Sequence, residues 1–131
     1  MHKIKQAGLE KQVHYLGELP FYDIPEVMRS MTLVAALSRN EGFGLTVIEA
    51  MASGAAVIAS DAGAWPDIIR QGVNGYSVSG NHQAINSTLK RLLDSPQLLL
   101  EMGAAARQHA EQHYSIEREA RQLTDHLLSL Q

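Results

Sequence analysis

Two uninterrupted apolar runs, Leu33–Leu37 (LVAAL) and Ala55–Ala59 (AAVIA), bracket a stretch of helical pattern. A short continuous apolar run suits a strand buried on both faces of a parallel sheet. The sequence between the runs predicts a helix from about Gly44 to Ser53, closed by Gly54. After Ser60–Trp65, a loop, comes a short helix ending near Arg70. Gln71–Gly75 (QGVNG) is a tight turn, with Asn74-Gly75 a strong turn dipeptide, and Tyr76–Ser79 is expected as a final edge strand. Upstream, Val13–Gly17 (VHYLG) is expected as a strand and Leu19–Pro25 as a loop. Asp23 is the expected N-cap of a short helix, Ile24–Ser30, with Pro25 in its first turn. The rest of the chain is expected to be helical: Asn81–Asp94, Pro96 to about Gln112, and a last helix capped by Ser115 with Glu117 following. Strands alternating with helices specify an α/β fold, a parallel sheet flanked by helices with right-handed crossovers.

With 131 residues the chain is expected to form a single domain. An apolar fraction of 45% argues against disorder. A net charge of −3, with no basic run, gives no electrostatic basis for binding nucleic acid. The absence of cysteine excludes disulfides, thiolate metal sites and cysteine nucleophiles, and fits a reducing cytosol. No apolar run approaches the ~20 residues of a membrane-spanning helix. The amino terminus, MHKIKQAGLEKQ, lacks a signal-peptide core and resembles a helix end running into a strand, so the chain is expected to be one half of a longer protein.

In open parallel sheets the ligand crevice lies beyond the carboxyl ends of the strands. The segment SRNEGFGLTVIEAMASG, Ser38–Gly54, begins at one such end. It sets Glu41 and Glu49 on either side of a Gly-Phe-Gly turn that opens a helix. A helix start presents unpaired N–H groups and the positive end of the dipole, where anions settle. Gly42 and Gly44 let the backbone approach a ligand closely and adopt φ > 0 where the turn needs it. Glu41 stands where it can accept hydrogen bonds from sugar hydroxyls, and Glu49, about a turn and a half into the helix, can reach back to the same ligand. The layout suits a phosphate and a sugar held together.

EGFGLTVIEAMASG, followed by AAVIASDAGAWPDII and the Q-G-V-N-G turn, resembles the C-terminal domain of the family 4 glycosyltransferases. The resemblance runs from about Val13 to Tyr114. It implies the C-terminal half of a GT-B fold, a Rossmann-like domain that binds the donor, and a retaining transfer. The family's motif of two glutamates separated by seven residues is matched by Glu41 and Glu49. FYDIP together with SRNEGFGLT is most similar to the lipopolysaccharide-core mannosyltransferases of Gram-negative bacteria. The chain departs from the family pattern at Leu37 and Ala56, where proline is usual, and at Asp67, where glutamate is usual.

The resemblance implies roles position by position. Glu41 would be catalytic, contacting the donor sugar and stabilising charge at its anomeric centre. The backbone at Gly42, Phe43 and Gly44 would approach sugar and diphosphate, and the Leu45 and Thr46 N–H groups would hold the diphosphate. Glu49 would bind the ribose and Leu19 would lie against the base. No metal site and no cofactor are expected: the chain has no D-x-D pair, and a nucleotide diphosphate sugar is the donor substrate. The family's first strand and helix, with the Arg and Lys that neutralise the donor phosphates, have no match here, and Lys3 and Lys5 do not take that role. The acceptor, a glycan or lipid-linked saccharide, would be held by an N-terminal domain that this sequence lacks. The isolated chain is therefore expected to be inactive, and the parent enzyme cytoplasmic, peripheral at the inner face of the membrane. A GT-B-fold nucleotide-sugar epimerase and a non-catalytic nucleotide-binding module are the alternatives.

Four further features are read from the residues alone. Phe43 is either a core plug under the turn or a sugar contact, and Trp65 either lines the cleft or packs beneath its loop. His109 and His113, one helical turn apart, are expected to be a solvent-exposed pair rather than metal ligands. In the segment 115–131, Ile116, Ala120, Leu123, Leu127 and Leu130 recur at i, i+4, i+7, i+11 and i+14 as one apolar stripe. In the family this helix crosses to the N-terminal domain, so in this chain it is expected to form a homodimer, to exchange between copies, or to dock at a different angle.

Overall fold

The computed structural model describes residues 2–130. Among these residues three parallel strands, β1 (Leu33–Ala36), β2 (Ala56–Ser60) and β3 (Gly75–Val78), form one sheet in the order β1-β2-β3. β1 pairs with β2 from Leu33↔Ala56 to Ala36↔Ala59, and β2 with β3 from Val57↔Gly75 to Ser60↔Val78. The helices are α1 (His2–Gln6), α2 (Ile24–Arg29), α3 (Leu45–Ala52), α4 (Trp65–Ile68), α5 (His82–Leu93), α6 (Pro96–His113) and α7 (Ile116–Ser129). This is the expected α/β architecture. No helix among the described residues is long and apolar enough to cross a membrane.

The strands are buried unequally. All five residues of β2 are buried, as a central strand between two helical layers requires. Val57 and Ala59 face a cluster with Val47, Ile48 and Met51 of α3 and Ala106 and Ala110 of α6. Ala56 belongs to a second cluster, with Leu92 of α5 and Leu99 and Met102 of α6. Alternate residues of one strand thus supply two cores. β1 is only half-buried, and Ala35 is exposed, because β1 forms an edge of this sheet. The burial on both faces expected of LVAAL therefore holds for AVIAS and not for β1.

Val13–Gly17 is a correction of a different kind. It forms no strand, and Tyr15 and Leu16 are exposed. A strand exists only through its ladder, and no described segment offers this one a partner.

α6 contributes to both cores, with Leu99 and Met102 on one side of the sheet and Ala106 and Ala110 on the other. It passes the amino end of β2 at Gly103, where an added Cβ would collide with the Gly54 carbonyl. The carboxyl ends of the strands are left to loops. Asn81 caps α5, its Oδ1 accepting from the Ala84 N–H at 2.8 Å, and Ser115 caps α7, its Oγ accepting from the Arg118 N–H at 3.3 Å. Asp23 precedes α2 as expected, but its side chain makes no capping bond. In the QGVNG turn Gly72 takes the positive φ, at +74°. Gly75 instead lets β3 close on β2, since a Cβ there would lie 2.7 Å from the Val57 carbonyl oxygen. α7 buries none of its residues.

Gly103→Ala is expected to destabilise the chain by about 1–3 kcal/mol, because the methyl group must push backbone rather than a flexible side chain. A urea-unfolding midpoint equal to that of the unaltered chain would count against α6 seating this tightly on Gly54.

Candidate functional site

The site forms where β1 ends. After Ala36 the chain leaves the sheet, turns through Glu41–Gly44 and enters α3 at Leu45. Gly44 is the N-cap residue and is left-handed, φ +79°, a conformation that favours glycine. Its carbonyl accepts the Val47 N–H at 3.0 Å, the first hydrogen bond of α3. No side chain caps this helix start, so its first N–H groups face outward without an internal acceptor.

Around this mouth the side chains divide by role. Leu45, Thr46 and Glu49 are exposed, Glu41 is half-buried, and Gly44 is buried. Glu41 folds back so that its Oε1 accepts from the Gly42 N–H at 3.2 Å. Gly42 has open space where a Cβ would stand, so it is not a packing glycine. Phe43 is 58% exposed, which rules out the core plug. The plug is Trp65, at 1% exposure, whose Nε1–H donates to the Gly44 carbonyl at 3.4 Å. A Cβ on Gly44 would overlap the indole. Trp65 therefore packs beneath the turn and does not line the cleft.

The loop after β2 holds the turn from the other side. Gly63, φ +56°, lies against the Glu41 and Gly42 carbonyls, and the Ala64 N–H donates to the Gly42 carbonyl at 3.4 Å. Ser60 Oγ donates to the Ser38 carbonyl, tying the end of β2 to the loop after β1. Gly63 escaped the sequence reading; its one signal was a glycine in a loop that directly follows a buried strand.

Three hollows open nearby, none lined by Glu41–Thr46. One, of about 440 Å³, opens at the strand tips and is lined by residues that include Ser38, Arg39, Ser60, Asp61 and His82. A second, of about 320 Å³, runs between α2, α3 and α6, with Glu49 on its wall beside Phe21, Pro25, Met28 and Arg107. Leu19 lines a third hollow, against Val34 of β1, together with Tyr15 and Leu16. No residue of Glu41–Glu49 lines that third hollow, but Ile24 and Met28 of α2 wall both it and the Glu49 hollow. The structure thus places Glu41, Gly42, Phe43, Gly44, Leu45 and Thr46 at one helix start, sets Glu49 further along α3 on a hollow that none of them lines, and sets Leu19 beyond α2.

His109 and His113 stack with ring centroids 4.5 Å apart, and Tyr114 packs edge-on to His109. The expected exposed pair is corrected for His109, whose two ring nitrogens are covered and have no hydrogen-bond partner. Among the described residues no three His, Cys, Asp or Glu side chains converge as metal ligands would.

With this geometry in place, the comparisons with known proteins converge. The family described as glycosyl transferases group 1 matches residues 1–109, and the chain belongs to it. It is 43% identical, over 115 residues, to a lipopolysaccharide core biosynthesis mannosyltransferase, LpcC, of Rhizobium leguminosarum bv. viciae; the match covers 87% of this chain and 32% of that protein. A D-inositol 3-phosphate glycosyltransferase of Corynebacterium glutamicum (strain R) is 36% identical over 83% of this chain and 26% of its own. The chain therefore spans about a third or less of the curated relatives it matches. Among solved structures, the C-terminal domain of a glycosyl transferase group 1 family protein (LpcC) from Francisella tularensis superposes with TM-score 0.81 at 39% identity, covering 88% of this chain and 60% of that one. Anabaena Alr3699/HepE, crystallised with UDP, superposes with TM-score 0.88 at 30% identity over 98% of this chain and 35% of that one. The fold is the C-terminal half of a GT-B architecture.

Burial first, then the charges of His113 and Arg70, lower the pKa of His109 below the usual histidine range. Once the pH falls through about 6.5, the unfolded chain takes up a proton that the folded ring refuses. This group is thus expected to leave stability unchanged above that pH and to lower it progressively below, until the folded ring also protonates. His109→Leu should flatten that part of a plot of urea midpoint against pH; an unchanged acid slope would show that His109 titrates normally in the folded chain.

Proposed function

We propose that this chain is the donor-binding domain of a retaining glycosyltransferase that moves a hexose, mannose in preference, from a nucleotide diphosphate sugar to a lipopolysaccharide or other glycan acceptor. The observation that carries this is the uncapped start of α3 at the carboxyl ends of the strands, with Glu41 just before it and Glu49 exposed within the helix. The resemblance of the chain to LpcC favours mannose and a lipopolysaccharide acceptor, and the UDP in the Anabaena neighbour favours a nucleoside diphosphate at this site.

The chemistry follows from charge. A sugar diphosphate leaves as an anion, so the enzyme must stabilise negative charge on the leaving oxygens and positive charge on the sugar. Amides of Leu45 and Thr46, fixed in direction before the reaction, supply the first. Removing one such preorganised donor typically costs about 10²–10³-fold in rate. Glu41, beside the sugar, supplies the second. Paired glycosidase-type carboxylates are not needed, because the leaving group carries its own charge. Glu49 takes the ribose hydroxyls and Leu19 the base. The helix start bears its own partial positive charge, so no metal ion is assigned to this half of the site. The acceptor is assigned to a separate N-terminal domain, toward which α7 would cross, and the enzyme to the cytoplasm at the inner face of the membrane.

Glu41→Ala in the glycosyltransferase containing this domain is expected to abolish transfer, by at least about 10²-fold, with an unchanged unfolding midpoint. Near-normal turnover would remove Glu41 from the chemistry. Assaying GDP-mannose, UDP-glucose and UDP-galactose against a lipid-linked acceptor identifies the donor.

The exposed stripe of α7, with Ile116, Leu123, Leu127 and Leu130 all more than half exposed, is assigned to pairing between copies of the isolated chain. Light scattering is expected to give a dimer that the double substitution Leu123→Glu and Leu127→Glu returns to monomer; a monomer before substitution would dismiss the pairing.

A further inference from the structure

Trp65 is the single tryptophan of the chain and stands at the first position of α4. A tryptophan this deeply buried needs a partner for its N–H, and the partner here is the Gly44 carbonyl. That oxygen already accepts the Val47 N–H, so it is held from inside α3 and from outside at once. The peptide joining Gly44 to Leu45 is planar and trans, so its C=O and N–H point in opposite directions. Holding the carbonyl against the indole aims the Leu45 N–H away from the helix, out of its mouth. The indole edge occupies the space a Gly44 side chain would need, and Gly63 braces the Glu41 and Gly42 carbonyls from the same loop. Turn and loop therefore interlock, with no slack in which the Gly44–Leu45 peptide could rotate.

We propose that Trp65 is a positioning residue for the nucleotide's diphosphate: it sets, through the Gly44–Leu45 peptide, the direction of the amide that meets the anion. The proposal rests on donor binding at this turn and deepens it. Trp65 itself touches no ligand. Its effect is expected on the anionic part of the nucleotide, because the group it holds is the Gly44 carbonyl, while the ribose and base are assigned to Glu49 and Leu19.

This selectivity is what the experiment reads. Trp65→Phe keeps an aromatic ring under the turn but removes the pyrrole edge with its N–H, the part of the indole that lies against Gly44. UDP with uridine, and GDP with guanosine, are titrated by NMR into the unaltered chain and the variant, alongside thermal unfolding. The variant is expected to bind whichever diphosphate the unaltered chain binds about tenfold more weakly, the scale of one lost hydrogen bond, and to bind the matching nucleoside equally well. Equal diphosphate affinity, or an equal loss for diphosphate and nucleoside, overturns the positioning role. Should the variant fail to fold, the unaltered chain answers alone, since Trp65 is its only indole emitter. A saturable change in emission with the diphosphate supports the role, and unchanged emission at concentrations where NMR shows binding overturns it. An unaltered chain that binds neither diphosphate overturns donor binding itself, and the positioning role with it.

Discussion

Gly44 and Trp65 share one space, and with the indole in it there is no room for a side chain on residue 44. The glycine is left-handed because the chain must turn sharply from the end of β1 into α3, and a Cβ there would overlap the indole. The indole is buried because the turn lies over it. Each makes the other necessary. Together they hold the start of α3 open, in a region where the first amides of a helix would otherwise be capped by a side chain or satisfied by water. The site is thus made of backbone direction more than of side-chain chemistry, and tertiary contact sets that direction.

The placement of the site follows from how α6 uses the sheet. By crossing at the amino end of β2, with Gly103 against Gly54, it closes both cores from one side. The carboxyl ends are left to loops, where the hollow beside Ser38, Arg39 and Asp61 opens. The loop after β2 is mixed there: Asp61 faces the hollow, while Ala62 and Ala64 pack on the first core. β1 ends the sheet as an exposed edge, and the adjoining segment Val13–Gly17 remains irregular.

Much of this was legible beforehand. The strands β1, β2 and β3 and the helices from α2 onward fall within a residue or two of their expected limits, because apolar runs, N-caps at Asn81 and Ser115, and the stop at Gly54 are local signals. The cluster from Glu41 to Glu49 was visible for the same reason: one turn and one helix carry it. Three readings missed, and one left open was settled. Val13–Gly17 has the composition of a strand but no ladder partner. β1 has the composition of a central strand but lies at an edge. Phe43 was weighed as a plug or a sugar contact and Trp65 as cleft lining or packing, and the plug is Trp65, 22 residues further along. His109 looked exposed from its spacing, yet packing with His113 and Tyr114 covers its nitrogens. The two strand misses depend on a ladder partner distant in sequence or absent, and His109 is covered by neighbours four and five residues on.

The order of residues alone determined the class of fold, the family, and the position of the helix start after the glycine turn. These depend on hydrophobic period, glycine placement and capping, all of which act within a few residues. Which strand is central, what lies beneath the turn, and where Leu19 stands relative to Glu49 were settled only in three dimensions. Burial and ladder pairing are properties of surfaces brought together, and no local stretch of chain contains both surfaces.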